Sequence, residues 1–172
     1  NIPVVTVKPQ QPGTITLSAP PCGPTVITCS VAPVSSASSY IWSVSGTTAV
    51  IVGGQGTRTI QLSLPAGFTN AQLSVAASNC VGTSTIRYQT IIGLAALGGP
   101  LTGPTYLCSN TTQNYSVPAA YGANSYSWSI TGNANLLSSS GTSCIVKTLG
   151  NWTGGVLTVT ATNSCGNASK SF

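Results

Sequence analysis

The chain contains one unit written twice. Trp42 lies in Ser39-Tyr40-Ile41-Trp42-Ser43-Val44-Ser45-Gly46, and Trp128 lies in Ser125-Tyr126-Ser127-Trp128-Ser129-Ile130-Thr131-Gly132, 86 residues further on. Cys22 and Cys108 share that spacing, and Cys80 and Cys165 are 85 residues apart. Two periods of 86 account for all 172 residues. A repeat of this length favours arrays that build length or present surface over a single catalytic pocket.

The ends carry the same periodicity. Residues Thr83 to Ile92 read as a strand, followed by a Gly98-Gly99-Pro100 spacer. The second unit reaches only Ala168-Ser169-Lys170-Ser171-Phe172, while Ile2-Pro3-Val4-Val5-Thr6-Val7 at the other end has the pattern of the remaining half-strand. Domain boundaries normally fall in exposed linkers. The expectation is therefore a window in a longer tandem array, or ends that complete each other between subunits by strand donation. Residues 1–13 then form a strand and linker completing a preceding or neighbouring domain, with 14–97 and 98–172 as the two domains. Val4, Val5, Val7 and Phe172 are the expected inter-repeat strand.

The secondary structure reads as β throughout. Thr25-Val26-Ile27-Thr28-Cys29, Thr59-Ile60-Gln61-Leu62-Ser63-Leu64 and Val156-Leu157-Thr158-Val159-Thr160 alternate apolar and polar residues, the period of a half-buried strand. Gly, Pro, Asn and Ser clusters separate them, and no segment carries a helical period. About seven short strands per unit predict an all-β protein of two tandem immunoglobulin-like β-sandwich domains.

At the cysteines and aromatics the residues reach a resemblance. Cys108, Tyr126, Trp128, Gly132, Gly141-Thr142, Ala161, Asn163, Cys165 and Gly166 mark the second unit. Cys22, Tyr40, Trp42, Gly46, Gly56-Thr57, Ala77, Asn79 and Cys80 mark the first. The pattern resembles the Ig-like/PKD-like repeats of very large secreted surface proteins of Bacteroidota, of the adhesin type. The resemblance implies a cell-surface location, and it makes Tyr40, Trp42, Tyr126 and Trp128 core residues. One departure stands out: such domains usually carry acidic residues, and this chain has no Asp or Glu.

Six cysteines in such a chain read as disulfides. Alignment of the repeats pairs Cys22 with Cys80 and Cys108 with Cys165. Cys29 and Cys144 remain, either joined to each other within or between chains, or with Cys29 taking Cys80 at the immunoglobulin Cys–Trp spacing.

The missing residue types exclude much chemistry. Without Asp, Glu or His there is no carboxylate pair, no Ser-His-Asp triad and no usual general acid or base. The chain reads as no enzyme, with no cofactor and no metal. The five basic residues, Lys8, Arg58, Arg87, Lys147 and Lys170, are scattered, which is not a nucleic-acid footprint. No apolar run is long enough for a transmembrane helix. Trp152, in the turn-like Gly150-Asn151-Trp152-Thr153-Gly154, is the candidate ligand contact. The expected function is a structural repeat module of an extracellular stalk, filament or giant surface protein, partnered head to tail by copies of itself or adjacent repeats. The alternative is an adhesin or carbohydrate-binding repeat meeting surface polysaccharide.

Overall fold

A computed structural model describes residues 7–46 and 48–172. Fourteen strands and no helix run through them. The chain divides into unit 1, Asn1–Gly93, and unit 2, Leu94–Phe172.

Unit 1 has two sheets. One orders β1 (Thr16–Leu17), β2 (Thr25–Ser30), β5 (Thr59–Leu64) and β4 (Val50–Gly53) as β1-β2-β5-β4. The other pairs β3 (Ser39–Ser45) with β6 (Asn70–Asn79), and β6 in turn with β7 (Gly82–Thr83) and β8 (Arg87–Ile92). All the pairings are antiparallel. Strand alternation puts Ile27, Cys29, Ile60, Leu62, Leu73 and Val75 inside one core. Burying an aliphatic side chain of this size contributes about 1.5–3 kcal/mol.

Unit 2 repeats the plan. One sheet orders β11 (Ala134–Ser140), β12 (Ser143–Thr148) and β9 (Thr112–Ser116); the other orders β10 (Ser125–Ile130), β13 (Leu157–Asn163) and β14 (Gly166–Ser171). Trp42 pairs with Val75 in unit 1, and Trp128 with Val159 in unit 2. Cys29 pairs with Ile60, and Tyr115 with Cys144. Cys144 is thus the counterpart of Ile60. The repeat spacing falls from 86 at β3 and β10 to 85 at β4 and β11, where Ile51 opposite Leu62 matches Leu136 opposite Val146, and to 84 at β5 and β12.

The unit boundary falls after Gly93, not after residue 97. Ala96 exchanges both backbone hydrogen bonds with Tyr121 (Ala96 N to Tyr121 O 3.1 Å, Tyr121 N to Ala96 O 3.0 Å), which assigns it to unit 2. Residues 7–13 likewise hydrogen-bond to unit 1. Asn79 Nδ2 donates to Val7 O (2.8 Å), Gln11 Nε2 to Ile86 O (2.7 Å) and Arg87 Nε to Pro12 O (3.1 Å). Val7 therefore leaves the expected inter-repeat strand, while Val4 and Val5 lie outside the described residues.

Candidate functional site

The aromatic residues of the motif are structural. Tyr40 Oη accepts from Val34 N (2.9 Å), and Tyr126 Oη accepts from Ala120 N (2.6 Å), six residues upstream in both units. Trp42 Nε1 donates to Thr57 O (2.8 Å) and Trp128 Nε1 to Gly141 O (3.0 Å). Trp42 is 2% exposed, whereas Trp128 is half-buried and packs against the core of unit 2. These hydrogen bonds satisfy the polar ends of large side chains placed in apolar surroundings.

The cysteines depart from the expected wiring. Cys22 and Cys165 are disulfide-bonded, while Cys80 and Cys108 are free and exposed and Cys29 and Cys144 are free and buried. Neither Cys22–Cys80 nor Cys108–Cys165 forms, and strand length explains why. Thr25, three residues after Cys22, pairs with Leu64 at the end of β5, and a side chain at Gly23 would collide with Pro65 and approach Phe68. Cys22 is therefore at the end of the unit where β6 begins. Cys80 follows the last residue of β6, ten residues and about 30 Å away at ~3.3 Å per residue. A disulfide needs Cα atoms within about 7 Å. Cys108 and Cys165 are separated in the same way by β13: Thr148 Oγ1, at the end of β12, donates to Cys108 O (2.6 Å), whereas Cys165 follows β13.

Cys29 and Cys144 make neither the Cys29–Cys144 bond nor a Cys29–Cys80 bond. They occupy opposite sides of the same rung, Cys29 against Ile60 in unit 1 and Cys144 against Tyr115 in unit 2. Burial pushes both thiols up to about 11, so they stay protonated and pack as small apolar side chains. Burial, and then the Cys144 charge, also raises the Tyr115 phenol. Its hydroxyl donates to Pro104 O (2.9 Å).

The turns that carry the exposed positions are built by asparagine. Asn79 Oδ1 accepts from Val81 N (2.8 Å) and Gly82 N (3.1 Å), and Asn163 Oδ1 accepts from Cys165 N (2.9 Å). An Asn side chain imitates a backbone turn in this way, and the two turns place Val81 and Cys165 at the same position.

Unit 2 carries an apolar groove of about 260 Å³ that includes Tyr115, Trp152, Gly154, Gly155, Leu157 and Phe172 in its lining. Phe172 exchanges both backbone hydrogen bonds with Leu157 (3.0 and 2.9 Å) and meets the Tyr115 ring edge-on at 5.8 Å between centroids. In unit 1, Leu73 is the counterpart of Leu157 and pairs with Gln89. There the strand continues, and Ile91, 2% exposed, pairs with Ala71, the counterpart of Gly155. Trp152 does have a first-unit equivalent, Phe68, since each stands five residues before the matched leucine. Phe68 is 3% exposed, while Trp152 is half-buried beside Gly132 and Gly155, where an added Cβ would come within 3.1 and 2.8 Å of the indole.

Two of the five cations are held by carbonyls in matching fashion: Arg87 by Pro12 O, and Lys170 Nζ by Gly99 O (2.6 Å). Among the described residues no group of three or more His, Cys, Asp or Glu could hold a metal ion, and no helix is long and apolar enough to cross a membrane.

A sequence model of the PKD-like domain matches residues 8–91 and again 95–171. No curated protein sequence matches the chain. Similar solved structures include the extracellular portion of mouse CD200RLa (15% identity over 86% of this chain and 91% of that one, TM-score 0.35). The human desmocollin-1 ectodomain is 12% identical, covering 98% of this chain and 37% of that one, with a TM-score of 0.48. The titin domains Z1Z2 in complex with telethonin are 15% identical, covering 98% and 95%, with a TM-score of 0.29.

Proposed function

The chain belongs to the PKD-like domain family, and from that premise we propose that it is a structural module of an extracellular stalk, filament or giant surface protein of the kind its motifs resemble. Modules join head to tail. PKD-like and Ig-like domains are typical extracellular repeat units, and disulfide-bonded cysteines fit an oxidising compartment. The supporting observation is the groove of unit 2. Unit 1 closes the same place in its sheet with Ile91 on an inward-facing strand position, so the groove is shaped for an apolar residue arriving on an added strand. Ile2, Val4 and Val5 of the next copy or repeat supply that chemistry. An open strand edge beside uncovered core is a template for such pairing.

Light scattering and negative-stain imaging of the 172-residue chain test this. Concentration-dependent end-to-end polymers are expected. A monodisperse monomer that gains no stability from extra C-terminal strand sequence would contradict it. The adhesin reading draws on the aromatic lining, Trp152, Tyr115 and Phe172. Polysaccharide binding lost in Trp152→Ala would favour that reading instead. Without Asp, Glu or His in the chain, this reading gives the module no catalytic role.

A further inference from the structure

The two kinds of cysteine position in the repeat are used unequally. The loop before β2 carries Cys22 and the loop before β9 carries Cys108, and the Asn-built turn after the long strand carries Cys80 or Cys165. Cys22 and Cys165, one of each kind, are disulfide-bonded. Cys108, the counterpart of Cys22, and Cys80, which lies in the same turn as Cys165 but one place earlier in the register, are free and exposed. Thus the loop and the turn each carry an oxidised cysteine in one unit and a free one in the other. Within either unit they stand at opposite ends of β6 or β13, too far apart to bond each other.

We propose that Cys108 of one copy forms a disulfide with Cys80 of the next, so that the array is covalently linked along its length. The inference rests on the head-to-tail reading above and adds the bond that fixes it. Each copy presents one free, exposed cysteine of each kind, so a Cys108–Cys80 bond propagates. The chemistry is a thiol–disulfide exchange with a glutathione-type disulfide as oxidant. One cysteine thiolate attacks that disulfide, breaks its S–S bond and expels one small thiolate. The partner thiolate attacks the protein sulfur of the mixed disulfide and expels the second. Two protein thiols lose two electrons and two protons, and the oxidant becomes two thiols. Exposure gives both cysteines the access this needs, whereas buried Cys29 and Cys144 stay out of reach.

The test uses the full chain with Cys80→Ser, with Cys108→Ser and unchanged, each incubated with oxidised and reduced glutathione. Read-outs are non-reducing gels, peptide mapping of the bonds, and light scattering with and without reductant. Circular dichroism checks that these turn variants keep their fold. The unchanged chain should give a ladder of multimers containing a Cys80–Cys108 peptide. On non-reducing gels each single variant should run as a monomer alone, and the two mixed should give covalent dimers and nothing larger, joined through that same peptide. Homodimers of either single variant, a Cys80–Cys108 bond inside a monomer, or glutathione-capped monomers only would overturn the proposal. Assembly in which oxidised glutathione produces no Cys80–Cys108 cross-link would overturn the bond alone and leave the head-to-tail reading intact. No assembly with or without reductant would overturn both.

Discussion

Units 1 and 2 share a strand register, a tyrosine corner and an indole hydrogen bond, yet they bury their cores to different depths. Trp42, Phe68 and Ile91 are 2–3% exposed in unit 1, whereas Trp128 and Trp152 are half-buried and Phe172 is 39% exposed in unit 2. The hydrogen-bonding frame is therefore set by the motif and shared by both units, while the depth at which the aromatic side chains sit differs between them. A large aromatic at the edge of a sandwich is a core residue when a strand covers it and a groove wall when none does. Trp152 reads as a ligand contact from sequence because its counterpart, Phe68, differs in residue type and only the strand register aligns the two.

The contrast can be broken first at the tryptophans. Trp42→Ala should cost about 3–5 kcal/mol, as expected for a fully buried aromatic, and Trp128→Ala roughly half as much, since part of its surface is already wet. Denaturant melts of each variant measure this, and equal losses would remove the claim that unit 1 is the more closed. Ile91→Ala comes next, at about 2–4 kcal/mol, and should open in unit 1 a groove like that of unit 2; binding of an apolar dye to the variant would detect it. Smaller again, Tyr40→Phe and Tyr126→Phe should each cost about 1 kcal/mol by stranding a backbone N–H, and here the two units should agree.

The smallest effect is in pH. With no Asp, Glu or His in the chain, the denaturant midpoint should be nearly flat from pH 2 to 8. Above that range Cys29 and Cys144 matter. Their folded values are raised to about 11 from 9.0, so folding favours the protonated thiol. Their contribution is complete below pH 9 and is lost as pH rises from 9 through 11. Cys29→Val should remove the unit 1 share of that decline. An unchanged alkaline slope in that variant would assign the decline to other groups.

Much of the fold was legible, since alternation in segments such as Thr59–Leu64 and the 86-residue period follow from side-chain chemistry alone. Two strands were not. Val50–Gly53 and Ala134–Ser140 are edge strands with exposed, in one case serine-rich, sequences, so their pairing comes from the neighbouring strand and not from their own pattern. The disulfides were misread for a different reason. A repeat alignment reveals which cysteines are equivalent, and equivalent positions need not be partners. Counting ten residues along β6 would have placed Cys22 and Cys80 at opposite ends of a strand. The terminal segment was half legible: Phe172 lies on the inward face as its pattern requires, while Val7 is held by Asn79 of its own unit.

The central claim is that unit 2 is closed by an added strand. The most direct measurement is a calorimetric comparison of the 172-residue chain with the same chain extended at its C-terminus by a copy of residues 1–13. The account predicts that the transition of unit 2 rises by several degrees, consistent with about 1–2 kcal/mol from seating one apolar side chain, while that of unit 1 is unchanged. An extension that leaves both transitions where they were, and that proteases trim as easily as a free tail, would contradict it.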